Sequence, residues 1–270
     1  KLGYMAVLRN MRNILEAEVS NEALNKICSY ISNANAVARS RQLPFRFLSA
    51  YRELKELMNG NVSKMLDALE DAVLQTAANI AGYDENIKVV IAADVSGSMQ
   101  TAISPRSKVQ RFDIGLMLAM LLQSMCANVM TGMFGDTWKI INMPKKNILG
   151  NVMEFHRREG EVGYATNGYL VVQDLLRRSK VVDKIMLFTY CQLWNSNGTP
   201  QMSDVWKKYK AIAPNAKMYL FDLAGYGNTP LNVMRDEVYL ISGWSDKIFD
   251  VLGAIENGSD ALKMINAIEL

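Results

Sequence analysis

The residues best equipped for chemistry are Asp94-Val95-Ser96-Gly97-Ser98-Met99, which follow the largely apolar run from Ile87 to Ala93. An Asp-x-Ser-x-Ser turn leaving a buried strand brings one carboxylate and two hydroxyls within reach of a single point. Hard oxygens of this kind suit Mg²⁺ or Mn²⁺. A further hydroxyl comes from Thr166, in the loop Gly163-Tyr164-Ala165-Thr166-Asn167 just ahead of an amphipathic segment. Serine, glycine and aspartate are also ordinary turn formers that bond their own backbone. The competing reading is therefore a metal-free turn in which Asp94 accepts backbone hydrogen bonds.

Other catalytic patterns fail on their own terms. His156 is the single histidine, so no zinc-protease helix with paired histidines can form, and its place beside Arg157 and Arg158 reads as a solvated side chain. Ser96 and Ser98 sit in no Gly-x-Ser-x-Gly elbow, and the glycine segments around 160–168 and 225–227 lack the Walker lysine. The expectation is a binding protein and not an enzyme.

The elements that must hold these residues change character along the chain. Up to about Tyr83 the apolar positions keep helical spacing: Tyr4, Val7, Leu8, Met11, Ile14 and Leu15 form one group, Leu24, Ile27, Cys28 and Ile31 a second, and Leu48, Tyr51, Leu54 and Met58 a third. Ser20 suits a helix start, Pro44 a first turn, and Asn59-Gly60-Asn61 a break before a helix from Val62 to Ile80. From Asn86 onward, strands alternate with helices. The strands are Ile87–Ala93, Val129–Phe134, Trp138–Met143, Lys184–Thr189, Lys217–Leu223 and Glu237–Ser242; the helices are Arg111–Cys126, Asn147–Arg157, Tyr169–Arg178, Ser203–Ile212 and Ser245–Ile255. Apolar strands separated by helices imply a doubly wound, mostly parallel α/β sheet covered on both faces. In such sheets ligands gather beyond the carboxyl ends of the strands, which is where Asp94, Ser96 and Ser98 fall.

The expected organisation is a helical segment over 1–83, an α/β domain over 86–258 and a tail over 259–270. With 270 residues, half of them hydrophobic, the chain has ample material for both cores. Its 30 basic and 27 acidic residues leave a net charge of +3, which by itself demands no polyanionic partner. Three widely spaced cysteines, Cys28, Cys126 and Cys191, read as buried free thiols. No apolar run approaches the roughly 20 residues of a membrane span, and no leader pattern opens the chain. The expectation is a cytoplasmic protein without membrane contact, and Lys1 in place of an initiator methionine reads as the start of an excised or processed piece.

Two resemblances sharpen this reading. Val89–Met99, Phe112–Cys126, Met133-Phe134-Gly135-Asp136, Ala165-Thr166-Asn167 and Leu187-Phe188-Thr189 resemble a von Willebrand factor A domain, the first group resembling its metal-ion-dependent adhesion site. Tyr4–Asn10 and Leu43–Leu48, placed ahead of that domain, resemble the end of the TROVE module of Ro autoantigen proteins. The A-domain resemblance implies Asp94, Ser96, Ser98 and Thr166 as ligands of Mg²⁺ or Mn²⁺, and a protein partner whose acidic side chain completes the metal shell. The family usually has an aspartate after the threonine that closes the later strand, whereas Thr189 is followed here by Tyr190. A phenol ionises only near pH 10 and supplies no charge, so binding should be weak.

The TROVE resemblance implies a ribonucleoprotein scaffold that holds small noncoding or misfolded RNA through the intact parent protein. Arg39, Arg41 and Arg46, around Leu43-Pro44 and beside Phe45 and Phe47, are the RNA-contact candidates, since arginines interleaved with aromatics grip phosphates and stack bases. The plainer reading makes the arginines a solvated rim and packs the phenylalanines at the domain junction. A rival function is an A domain acting purely as a protein-interaction module; a helical segment detached from the A domain would favour it.

Overall fold

The computed structural model describes residues 2–76, 86–103, 105, 107, 109–190, 201–224, 231, 237–243 and 248–256. The far end of the helix read as running to Ile80, the boundary near residue 83, Cys191, Gly225–Gly227, the helix start at Ser245 and the tail lie outside these residues.

Six helices come first: α1 (Tyr4–Arg9), α2 (Met11–Glu16), α3 (Asn21–Ile31), α4 (Ala34–Ser40), α5 (Pro44–Lys55) and α6 (Val62–Thr76). Ser20 caps α3 by accepting from the Ala23 amide, and Pro44 occupies the first turn of α5. The stretch read as one helix from Tyr4 to Leu15 is two. Asn10 interrupts it: its side-chain amide donates to the Ala6 carbonyl at 2.8 Å while its Oδ1 accepts from Asn13, and this local bonding competes with helix propagation. Helix α4 escapes the periodicity test because Val37 is its one buried residue. Asn33 starts it with a side-chain cap and Arg41 ends it in the left-handed region at φ 50°.

The α/β part holds strands β1 (Lys88–Asp94), β2 (Asn128–Phe134), β3 (Trp138–Ile140), β4 (Lys184–Thr189), β5 (Lys217–Asp222) and β6 (Val238–Ser242). Between them run α7 (Arg111–Met125), α8 (Ile148–Arg158), α9 (Tyr169–Arg177) and α10 (Met202–Ile212), with α11 (Ile248–Glu256) after β6. The strand order is β3-β2-β1-β4-β5-β6, parallel throughout except for the β2–β3 pair. This is the doubly wound sheet expected, though β3 stops at Ile140, three residues before Met143.

Helix α7 explains how the two parts join. Every residue from Phe112 to Gln123 is buried, so this helix has no polar face and must be covered on all sides. It packs on β1 and β4 beneath, on α8 beside it, and on α5 and α6 of the helical segment above. One continuous apolar cluster accordingly runs from Tyr4 and Phe47 through Met117 and Met120 to Phe188 and Phe221.

Candidate functional site

Asp94 is the last residue of β1, and its register partner on β2 is Phe134, while Ala93 pairs with Phe188 on β4. Its carboxylate is fully buried. Oδ1 accepts from the Ser96 amide at 2.8 Å, and Oδ2 accepts from the Thr189 hydroxyl at 2.6 Å. Burial pushes the Asp94 carboxyl up to about 6, against the opposing pull of the Thr189 and Ser96 hydrogen bonds. The Ser96 hydroxyl lies close enough to help hold that charge, yet its Oγ is buried and meets no partner in good hydrogen-bond geometry among the described residues. A short 3-10 turn, Gly97–Gln100, follows, anchored by the buried Met99. It leaves Ser98 half-buried.

The Thr166 loop is brought to the same end of the sheet through β2. The Asn167 amide donates to the Gly135 carbonyl at 3.3 Å, one residue beyond Phe134, and the Val95 amide donates to the Phe134 carbonyl at 3.2 Å. Glycine is required on both sides of this approach. A Cβ on Gly135 would lie 2.1 Å from the Gly163 carbonyl oxygen, and Gly163 itself has φ +73°. Thr166 is buried at the base of that loop. The sheet thus places the loops carrying Asp94, Ser96, Ser98 and Thr166 together at its carboxyl edge.

Thr189 is the functional residue that spacing alone missed. It ends β4 beside β1, and a threonine closing a strand adjacent to Asp94 was the available signal. Tyr190 is buried against the main apolar cluster. Asp222, the register partner of Thr189, is fully buried rather than at the surface, and its Oδ1 accepts from the Ala224 amide. Among the described residues no group of three or more histidine, cysteine, aspartate or glutamate side chains is placed to hold a metal.

His156 corrects the sequence reading. Its ring is not solvated: Nε2 meets Asp113 Oδ1 at 2.5 Å, Nδ1 faces Glu159 Oε2 at 3.5 Å, and the ring packs edge-on against Phe112. Arg52 of α5 clasps the same Asp113 through both guanidinium nitrogens, at 2.9 and 2.5 Å. The Gln110 amide also donates to Asp113. Burial alone would raise the Asp113 carboxyl; His156, Arg52 and Gln110 outweigh it and bring it down to about 2. Arg157 and Arg158, by contrast, pair with Glu154 and Glu161 at the surface.

Arg39, Arg41 and Arg46 are all exposed, while Phe45 and Phe47 are buried. Phe47 packs edge-on against Tyr4 inside the helical segment, and Arg46 lies over the Phe45 ring at 5.1 Å. An open groove of about 340 Å³ runs along α1, α2 and α5, where Arg46 is joined by Arg9 and Arg12. Arg39 and Arg41 do not line it.

An all-helical module docked on a doubly wound α/β domain, with an oxygen-lined turn at the strand ends, defines the class of protein. Two comparisons narrow it. The TROVE domain model matches residues 1–113, a stretch that runs through the helices, β1 and the Asp94 turn. The fold matches the crystal structure of the Deinococcus radiodurans RO (RSR) protein with a TM-score of 0.64 at 18% identity, over 95% of this chain and 53% of that one. The chain spans about half the length of that relative, and it is a Ro/TROVE-family protein.

Proposed function

We propose that this chain is part of a Ro-like scaffold that binds noncoding RNA and catalyses no reaction, acting in the cytoplasm without membrane contact. The division into a helical module over 1–83 and an α/β domain over 86–258 belongs to the same reading. The observation that carries it is the TROVE match over a helical segment seated firmly on the α/β domain. A detached segment would have favoured the pure interaction module. Among the described residues no helix is long and apolar enough to cross a membrane.

The groove formed by Arg9, Arg12 and Arg46 is the best-placed phosphate contact. Arg12 is partly neutralised by Glu16 and Glu53, which leaves Arg9 and Arg46 as the stronger candidates. Single-stranded RNA should bind this chain no more tightly than about micromolar at physiological salt, because such contacts are few and screened. In a fluorescence-anisotropy titration, Arg9→Glu with Arg46→Glu should weaken binding several-fold at every sequence tested. An unchanged affinity would remove the groove from the proposal.

A second reading concerns the loop end of the sheet. Asp94, Ser96, Ser98 and Thr166 would hold Mg²⁺ or Mn²⁺ weakly, and the metal would offer a Lewis-acid face to a carboxylate from a protein partner. The buried Ser96 hydroxyl without a partner favours this, since such a group normally has one. The arrangement fits a mostly hydrated ion held by one carboxylate. It does not fit a tight site of several acidic ligands. Calorimetry with Mn²⁺ on the wild type and on Asp94→Asn decides: weak binding lost in the variant is expected, and no heat in either excludes the metal.

A further inference from the structure

The ion pairs at the module junction continue, without a break, to the turn that follows Asp94. Arg52 on α5 holds Asp113 on α7; Asp113 meets His156 Nε2 on α8; His156 Nδ1 faces Glu159, and Glu159 Oε1 accepts from the Gln100 side-chain amide at 3.3 Å. Gln100 closes the Gly97–Gln100 turn. The chain contains one histidine, and it is the link whose charge changes between about pH 5 and 8.

We propose that His156 is a proton-operated tie between the module junction and the turn carrying Ser98. Both ring nitrogens face a carboxylate oxygen. An imidazolium donates from both and satisfies both; a neutral ring carries one N–H and one lone pair. The shorter and more buried contact is with Asp113, which already holds Arg52 and the Gln110 amide, so the neutral ring keeps its hydrogen on Nε2. Its Nδ1 lone pair then opposes Glu159. The Glu159 side chain leaves, and Gln100 loses its acceptor.

The other charged groups around the ring do not replace it. On α8 itself Arg157 is committed to Glu154, and Arg158 to Glu161. From α6, Glu70 accepts from the Leu149 and Gly150 amides at the opposite end of α8. Arg52 from α5 reaches the ring only through Asp113. Glu159 is therefore the partner that the ring's proton controls.

The test is an NMR titration of the 270-residue chain from pH 5.5 to 8, in which the single histidine makes the ring signal unambiguous. The Gln100 side-chain amide and the backbone amides of 97–100 should shift with the same midpoint as the ring. In His156→Gln this movement should disappear. Glu159→Gln supplies the converse: its amide can donate to the Nδ1 lone pair, so Gln100 should stay in its low-pH position up to pH 8. Gln100 signals that ignore the ring, or a Glu159→Gln chain that titrates like the wild type, would overturn the proposal.

Discussion

Asp94 and Asp113 are both shut away from solvent, and their neighbours drive them in opposite directions. Asp94 has only neutral donors, so burial wins and its carboxyl rises to about 6; Asp113 has Arg52 and His156 beside it and falls to about 2. Because the folded value of Asp113 lies below its ordinary one, its contribution of about 2 kcal/mol is present above pH 4 and lost as pH falls toward 2. Arg52→Met strands that carboxylate without its main countercharge. It should cost about 3 kcal/mol in urea unfolding at pH 7, and the acid limb of the stability profile should flatten. Ser96→Ala behaves differently. Removing a buried hydroxyl that lacks a partner should leave stability in EDTA unchanged or slightly higher. It should nonetheless diminish any thermal shift produced by Mn²⁺, an outcome that a purely structural serine would not give.

At the scale of elements, glycines and caps set the loops. The close approach of Gly135 to the Gly163 carbonyl ties the end of β2 to the Thr166 loop. Gly135→Ala should cost about 2 kcal/mol through backbone displacement, seen as a lowered Tm and as amide shifts through 163–167. Glu70 reaches from α6 to the first amides of α8, at 2.9 and 3.1 Å, and so caps a helix in the other module. Glu70→Ala should cost about 1 kcal/mol, as loss of a helix cap does. The positions of these elements were largely legible in the sequence, because β1, β2, β4, β5 and most helices carry clean apolar periods. The break at Asn10 and the existence of α4 were not, since both depend on side-chain bonds to the backbone that periodicity does not register. The Asp94 turn was legible because its residue types are unusual together. The Arg52–Asp113–His156 cluster was not: its members lie 61 and 43 residues apart and meet only through tertiary packing.

For the molecule as a whole, α7 is the decisive element. Its sequence, Arg111 to Met125, has almost no polar side, which told of complete burial without telling what would supply the cover. The sheet covers one side; α5, α6 and α8 cover the rest. The helical module is thus part of the α/β domain's own core, not an appendage on a linker. Separating the two should expose a contiguous apolar surface of the kind that drives association. A chain of residues 86–270 should therefore bind a hydrophobic dye and elute in size-exclusion chromatography as aggregate, while the 270-residue chain elutes as a compact species. The polar joints make the same point by another route, since Arg52 and Glu70 both lose their partners in that cut and leave Asp113 and the start of α8 uncompensated. A monodisperse, dye-free 86–270 fragment would show that α7 tolerates an open face, and the two modules would then have to be treated as independent folding units.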